Sequence, residues 1–319
     1  MIDIVKHRYW FFLISLILIV PGSIYLALYG LQRGIDFTGG TLYQVSFERP
    51  VSVEAVRTAL RTNGYENAAV QSANLGTTES TAAGNTRGIS MRLPEVRENS
   101  PEKRELADLL TRTFGPFRQE TFETVGPAVG QEIQDRSFLA VGITALGILA
   151  YIAFAFRKVR HPFRYGICAI VAMLHDALLV VGVYAILGRH FGVEVDALFI
   201  TALLTVIGFS VHDTIVVFDR IRENQLRRPG EGFSSIVNYS LVQTLVRSIN
   251  TSLTVLITLS ALYLFGGVTI RDNFVLALLI GIASGTYSSI FNASLMLVVW
   301  ENGEFGRLFG RRRAQTATS

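Results

Sequence analysis

Long apolar runs joined by short charged connections make up most of this chain, and one polar stretch interrupts them. Apolar runs fall near 10 to 30, 138 to 156, 165 to 187, 195 to 218, 246 to 265 and 273 to 299. Each meets the roughly 17 to 25 residues that a membrane-crossing helix needs. Lys6 and Arg8 precede the first run as they would in a secretory leader, but its apolar part continues to Tyr29, so it reads as a retained anchor. The polar stretch alternates strand and helix patterns. Thr41 to Phe47 reads as a strand, Ser52 to Asn63 as a helix, and Ala68 to Asn74 and Thr86 to Leu93 as two further strands. Pro101 to Phe114 is then a helix and Arg118 to Val125 the last strand, giving the βαββαβ order of a ferredoxin-like domain. Ser52 is placed as an N-cap ahead of the stripe Ala55, Val56, Ala59 and Leu60, and Gly76 to Asn85 as a hairpin tip.

The pattern predicts a membrane all-α six-helix bundle with an extracytoplasmic α+β ferredoxin-like (βαββαβ) domain between transmembrane helices 1 and 2. Residues 1–33 form the cytoplasmic N-terminus and first span, 34–136 the extracytoplasmic domain, 137–301 spans two to six, and 302–319 a basic cytoplasmic tail. Loop charges set that orientation. Arg157, Lys158, Arg160, His161 and Arg164 fill one short connection, and Arg220, Arg222, Arg227 and Arg228 another. Arg311, Arg312 and Arg313 lie in the tail, whereas the opposite short loops carry only Arg189 and Arg271. Basic residues accumulate on the cytoplasmic side, so both termini are placed there.

Composition narrows the chemistry. Half of the 319 residues are apolar and the net charge is only +4, with no basic run interleaved with aromatics, so no nucleic-acid partner is expected. Cys168, the single cysteine, sits in an apolar run and reads as a packing residue. The lysines are Lys6, Lys103 and Lys158, and none follows a glycine, which removes a nucleotide-binding P-loop. His7, His161, His175, His190 and His212 lack metal-ligand spacing, so neither a metal site nor a cofactor is expected and an ion gradient is left as energy source.

One residue stands out against the apolar background. Asp213 lies in the run Thr205 to Phe218, and a carboxylate at membrane depth costs several kcal/mol, so its default reading is a proton or ion site. The other reading is a buried polar group that bonds across helices. Arg247 is about as far from the extracytoplasmic end of span five as Asp213 is from that of span four, and the two can pair if their faces meet. The other reading of Arg247 is a guanidinium that snorkels to the interface. Asp176, beside His175 in span three, either extends a proton route or fixes packing, and His212 adds a group that titrates near neutrality. Ser284, Ser288 and Asn292 make a polar stripe in span six that suits helix packing or a water path. Gly34 to Thr41 joins span one to the polar domain. With Gly34, Asp36, Gly39 and Gly40 it reads as a hinge or anchoring turn, since a phosphate loop would need a preceding strand and a following helix.

Two segments carry a resemblance. Gly34-Ile35-Asp36-Phe37-Thr38-Gly39-Gly40-Thr41 and the run Gly208 to Asn224 closely resemble the two signatures of the SecD/SecF family of protein-export membrane subunits, the second favouring the SecF branch. Leu174-His175-Asp176 and the run Gln243 to Ser252 are similar to that family as well, and the likeness spans essentially the whole chain. Phe209 and His212 depart from it, standing where the family more often has Tyr and Asn. The resemblance implies a bacterial cytoplasmic-membrane subunit, not an enzyme, that partners SecD beside the SecYEG translocon with accessory proteins of the YajC/YidC type. Unfolded secreted polypeptides are the implied cargo, membrane lipids the surroundings and the proton-motive force the drive. It further implies that Asp213 and Arg247 serve proton transport.

Two other functions stay open on the residues alone. One is half of a resistance-nodulation-division-type exporter of small amphiphiles, which uses the same intramembrane acid. The other is an intramembrane aspartyl protease with Asp176 and Asp213 as dyad, against which stands an estimated offset in depth of about 8 Å. A purely scaffolding subunit is the plainest reading.

Overall fold

A computed structural model describes residues 3–73, 85–157, 161–265 and 271–304. Among them six helices are long and apolar enough to cross a membrane: Val5–Tyr29, Pro127–Ala155, Pro162–Phe191, Ala197–Arg227, Phe233–Phe265 and Asn273–Glu301. The first is mostly α1 (Arg8–Tyr29), preceded by a single 3₁₀ turn. It crosses the helix of the third span with Gly22 directly against Gly182, where a Cβ on either would lie 2.9 Å from the other's backbone. Small residues at such a crossing let backbones meet without a hydrophobic driving force.

After α1 the chain makes one helical turn, α2 (Ile35–Thr38), and enters a four-stranded sheet. Its elements follow as β1 (Gly40–Ser52), α3 (Val53–Thr62), β2 (Ala69–Ser72), β3 (Asn85–Leu93), α4 (Pro101–Phe114) and β4 (Phe117–Val125). The strands lie in the order β2-β3-β1-β4, each pair antiparallel. Alternation explains the inner face: Tyr43, Val45 and Phe47 of β1 are buried with Ile89 and Met91 of β3, against Val56 and Leu60 of α3 and Leu106 and Leu110 of α4. Every expected element of this domain is present. Ser52 holds the N-cap position of α3, although its side chain makes no capping bond, while Ser100 caps α4 through the Lys103 amide. The expected hairpin tip from Gly76 lies outside the described residues, as does the basic tail from Arg311.

The bundle continues with α5 (Pro127–Ala155), α6 (Pro162–Phe191), α7 (Ala197–Arg227) and α8 (Phe233–Phe265). The sixth span is composite: a π-helical stretch Arg271–Val275, then α9 (Leu276–Tyr287), a second π-helical stretch Ser288–Ala293, and α10 (Ser294–Glu301). Two boundaries differ from the sequence reading. The helix of span two begins at Pro127 rather than near 137, because a proline fits the first helical turn; Glu132, Asp135 and Arg136 therefore ride on α5. The fifth helix begins at Phe233, well before 246, since Ile236, Val237 and Leu241 bury one face of its polar first turns. Cys168 is fully buried in the bundle core, as a packing residue should be.

Candidate functional site

The middle of the bundle holds two carboxylates, each wrapped in hydroxyls. Asp213, on α7, is 8% exposed. Ser248 of α8 donates to its Oδ1 at 2.8 Å, and Ser289 of the second π-helical stretch donates to its Oδ2 at 2.8 Å. Asp176, on α6, is 0% exposed. It accepts from Ser210 of α7 at 2.5 Å, from Ser284 of α9 at 2.6 Å and from Ser288, and its Oδ1 lies 3.0 Å from His175 Nδ1. Neither carboxylate has a lysine or arginine within bonding distance among the described residues.

Depth was readable from the sequence, but orientation was not. The level of span five that faces Asp213 is the expected one, yet the side chain that meets it is Ser248. Arg247, one residue earlier, is exposed on the far side of α8 and makes no side-chain hydrogen bond or ion pair among the described residues. Adjacent residues on a helix project about 100° apart, so one of the two can face α7 and the other cannot. The expected Asp213–Arg247 contact is thus absent from this arrangement. His212 is likewise exposed, whereas its neighbour Asp213 is buried. It does not share the pocket.

Asp176 and Asp213 lie closer in level than their sequence positions suggested. Ser210, which bonds Asp176, is three residues from Asp213 on the same helix, about 4.5 Å of rise. Consecutive serines of span six serve the two acids. The estimated 8 Å offset therefore shrinks to about one turn, because α6 and α7 are staggered. The two carboxylates still share no hydrogen bond among the described residues. Of the stripe expected in span six, Ser284 and Ser288 face Asp176, and Asn292 accepts from Ser15 of α1 at 2.9 Å. Ser210, Ser248 and Ser289 were not singled out by sequence; the signal available was their level beside a buried acid.

The turn from Gly34 to Thr41 is fastened to the same helix that carries Asp213. Gly34 donates to the Val195 carbonyl at 2.8 Å, Val195 donates to that of Gln32 at 2.7 Å, and the Asp36 carboxylate accepts from the Ala197 amide at 3.0 Å. Asp36 thus satisfies one of the amides left open at the start of α7. Asp196 accepts from the Phe199 amide at 2.8 Å on one oxygen and from Asn273 on the other, tying α7 to span six. Burial raises the Asp196 carboxyl above its ordinary value, opposed by those hydrogen bonds. Gly39 and Gly40 have φ of +70° and +114°, and a Cβ would lie 2.8 Å from Pro127 Cα and 2.6 Å from the Leu93 carbonyl oxygen. Only glycine fits where β1, β3 and α5 converge. Arg92 of β3 donates to the Arg33 carbonyl at 3.1 Å and pairs with Glu194.

Six apolar spans around buried, hydroxyl-bonded carboxylates, with a small α+β domain fastened to the carboxylate-bearing helix, define a multi-pass membrane protein with acids in its core. Comparison with known proteins makes that class specific. Residues 105–303 match the profile of the C-terminal region of the protein export membrane protein SecD/SecF, and residues 24–51 match the SecD/SecF GG motif. The protein translocase subunit SecF of Thermobaculum terrenum is 66% identical over 320 residues, covering 100% of both chains. That of Anaerolinea thermophila is 45% identical over 315 residues, covering 98% of each. The crystal structure of SecDF, a translocon-associated membrane protein from Thermus thermophilus, superposes with a TM-score of 0.80 at 34% identity. The match covers 94% of this chain and 39% of that one, so the chain spans about two fifths of SecDF. The chain belongs to the SecD/SecF family of protein-export membrane proteins, whose members here are translocase subunits rather than enzymes.

Proposed function

We propose that this chain works as a SecF-type subunit with a SecD-type partner, using proton movement through its membrane domain to drive export of secreted polypeptides beside a SecYEG-type channel. Unfolded polypeptide is the cargo, YajC- and YidC-type proteins are its neighbours, and no cofactor is needed. Asp213 carries the proton. The observation that carries this reading is the solvation of Asp213 by two neutral hydroxyls and, among the described residues, no cation. Hydroxyls donate to an ionised carboxylate and accept from a protonated one, so the site tolerates both states, whereas a bonded arginine would favour the anion alone.

Several features support the rest of the reading. The arginine-rich connections support a topology with both termini in the cytoplasm and residues 34–136 outside it. The strand order β2-β3-β1-β4 with α3 and α4 on one face supports a ferredoxin-like domain. Asp36, Gly39 and Gly40 act as its anchoring turn, and the bond that Asp36 accepts from the Ala197 amide at the start of α7 gives a path from Asp213 to the domain. Arg247 and His212 face outward from the bundle. A bare guanidinium at that depth is costly, which favours a partner subunit against α7 and α8. Arg247 then reaches Asp213 only in a second arrangement, with protonation of the acid and release of the arginine coupled. Asp176 is a second carboxyl on the proton route.

Energetics bound the cycle. One charge crossing 100 mV supplies about 2.3 kcal/mol, whereas driving a two-state equilibrium from 1:99 to 99:1 takes about 5.5 kcal/mol. More than one proton per cycle, or an incomplete switch, follows. Asp213→Asn should reduce gradient-dependent export to the level seen when the gradient is collapsed, while the chain still assembles with its partner. Wild-type export by that variant at full proton-motive force would refute the reading.

A further inference from the structure

We propose that Ser288 and Ser289 are positioning residues that make Asp176 and Asp213 titrate as one coupled pair, each serine switching its hydroxyl between a carboxylate and a backbone carbonyl. The proposal deepens the reading of Asp213 as the proton carrier and rests on it. Ser289 Oγ lies 2.8 Å from Asp213 Oδ2 and 3.1 Å from the Thr286 carbonyl oxygen. Ser288 Oγ is bonded to Asp176 Oδ2 and lies 3.3 Å from the Gly285 carbonyl oxygen. A hydroxyl has one hydrogen and two acceptor lone pairs, so it cannot donate to both at once.

The two acceptors give each serine two settings. With Asp213 ionised, Ser289 donates to it. When a proton from the aqueous side binds Oδ2, the new O–H donates to Ser289 Oγ, and the hydroxyl hydrogen of Ser289 turns to the Thr286 carbonyl. The donor and acceptor at this contact exchange roles without an orphaned polar atom or a helix displacement. The same exchange is available at Asp176, Ser288 and Gly285. Gly285 makes room for it: a Cβ there would lie 3.3 Å from the Ser210 side chain and 3.7 Å from Asp176 Oδ2.

Adjacency supplies the coupling. Ser288 and Ser289 open the π-helical stretch Ser288–Ala293, one pointing to α6 and the other to α7. Insertions of this type recur at functional sites because they re-aim side chains within a helix. Two buried anions bonded to consecutive serines, with no arginine or lysine bonded to either among the described residues, repel each other, so the loss of one proton disfavours loss of the second. Among the described residues, one titratable group on the surrounding elements contacts either acid. On α6, His175 contacts Asp176, and its Nε2 is buried with no partner among the described residues. His212 of α7 and Arg247 of α8 are exposed on the outer face, as is Tyr151 of α5. Tyr287 of α9 donates its hydroxyl to the Phe11 carbonyl. Asp196 of α7 and Glu301 of α10 lie at the helix ends.

Difference infrared spectroscopy of the full chain, purified with its SecD-type partner and titrated without gradient or substrate, tests this. Protonated carboxyl bands that vanish in Asp176→Asn and in Asp213→Asn identify the two acids. The proposal expects the Asp176 band to lose its proton at a higher pH in wild type than in Asp213→Asn, where the neighbouring anion is gone. Ser289→Ala should raise the midpoint of the Asp213 band by about one pH unit, because the hydrogen bond to a charged acceptor is the stronger of the two it removes. Ser289→Thr, which keeps the hydroxyl, should restore it. Identical Asp176 midpoints in wild type and Asp213→Asn would overturn the coupling; equal effects of Ser289→Ala and Ser289→Thr would overturn the switch. If the serine variants fail to assemble, the comparison of wild type with Asp213→Asn still decides. Uncoupled titration alongside export loss in Asp213→Asn rejects the pair but not the proton carrier, and coupled titration with wild-type export in that variant does the reverse.

Discussion

Asp176 and Asp213 differ in level by about one turn in the same bundle, yet they are solvated differently. Asp176 is sealed, with three hydroxyls and an imidazole filling the roughly four lone-pair sites of a carboxylate. Asp213 keeps some exposure and takes two hydroxyls, which leaves about half of its capacity open. A fully solvated acid resists change, while a half-solvated one can accept another donor. That difference assigns Asp213 the exchange with the outside and with Arg247, and Asp176 the inner place in the pair, where its charge biases Asp213.

The largest effect that could break this contrast is functional. Asp213→Asn and Asp176→Asn both remove a titrating group, but the exposed acid should matter more for turnover. We expect Asp213→Asn to lose gradient-driven export by tenfold or more, and Asp176→Asn to lose less while shifting its pH dependence. Export assays over a pH series in membranes containing either variant give the comparison. A greater loss for Asp176→Asn would invert the assignment.

Stability should rank the acids the other way. Asp176→Ala strips the acceptor from three serines, of which Ser288 can fall back on the Gly285 carbonyl. Two hydroxyls then lack their acceptor, at about 1 kcal/mol or more each. The cavity adds to that, for about 3 kcal/mol in all. Asp213→Ala strands only Ser248, because Ser289 has the Thr286 carbonyl, for about 1 kcal/mol beyond the same kind of cavity. Thermal transitions of the two purified variants should therefore fall in the order wild type, Asp213→Ala, Asp176→Ala. Equal losses would show that the two shells are energetically alike.

Much of this architecture follows from periodicity that needs no tertiary knowledge. Six apolar runs and the alternation in β1 are local signals, and the proline and serine that open α4 mark its start where the structure has it. The buried acids were legible for a different reason: a charge inside an apolar run is costly wherever it points. Facing was not legible. Arg247 and Ser248 are sequence neighbours at the right depth, and only the packing of α8 on α7 decides which one meets Asp213. Ser284 and Ser288 were legible as a stripe, but Ser210, Ser248 and Ser289 were not, because single serines are ordinary packing residues in membrane helices, and a π-helical turn leaves no residue signature that would have separated Ser288 from Ser289.

The anchoring turn offers a smaller test, away from the acids. Gly40→Ala forces a Cβ against the Leu93 carbonyl at a φ that side chains rarely adopt. A cost of about 1 to 3 kcal/mol follows. Loss of export without a change in the carboxyl infrared bands would place the turn downstream of the proton site, as its position between α7 and the sheet requires. A shift in those bands would instead make the turn part of the acids' own environment.

The smallest effect lies at the end of α7, where Asp196 bonds both Phe199 and Asn273. Asp196→Ala should cost about 1 kcal/mol, the usual value of an N-cap, and Asp196→Asn much less, since asparagine caps as well. Because burial raises the folded-state value of this carboxyl, the folded chain binds the proton more tightly than the unfolded one. Its contribution to stability is therefore fully present below the ordinary carboxylate range and declines as pH rises through the raised value. The thermal transition of wild type should fall across that window, and Asp196→Asn should flatten the slope. If Asp196→Ala loosens this end of α7 and export is unchanged, the helix is not the path by which Asp213 reaches the domain, and the contrast between the sealed and the exchanging acid would have to act through span six instead.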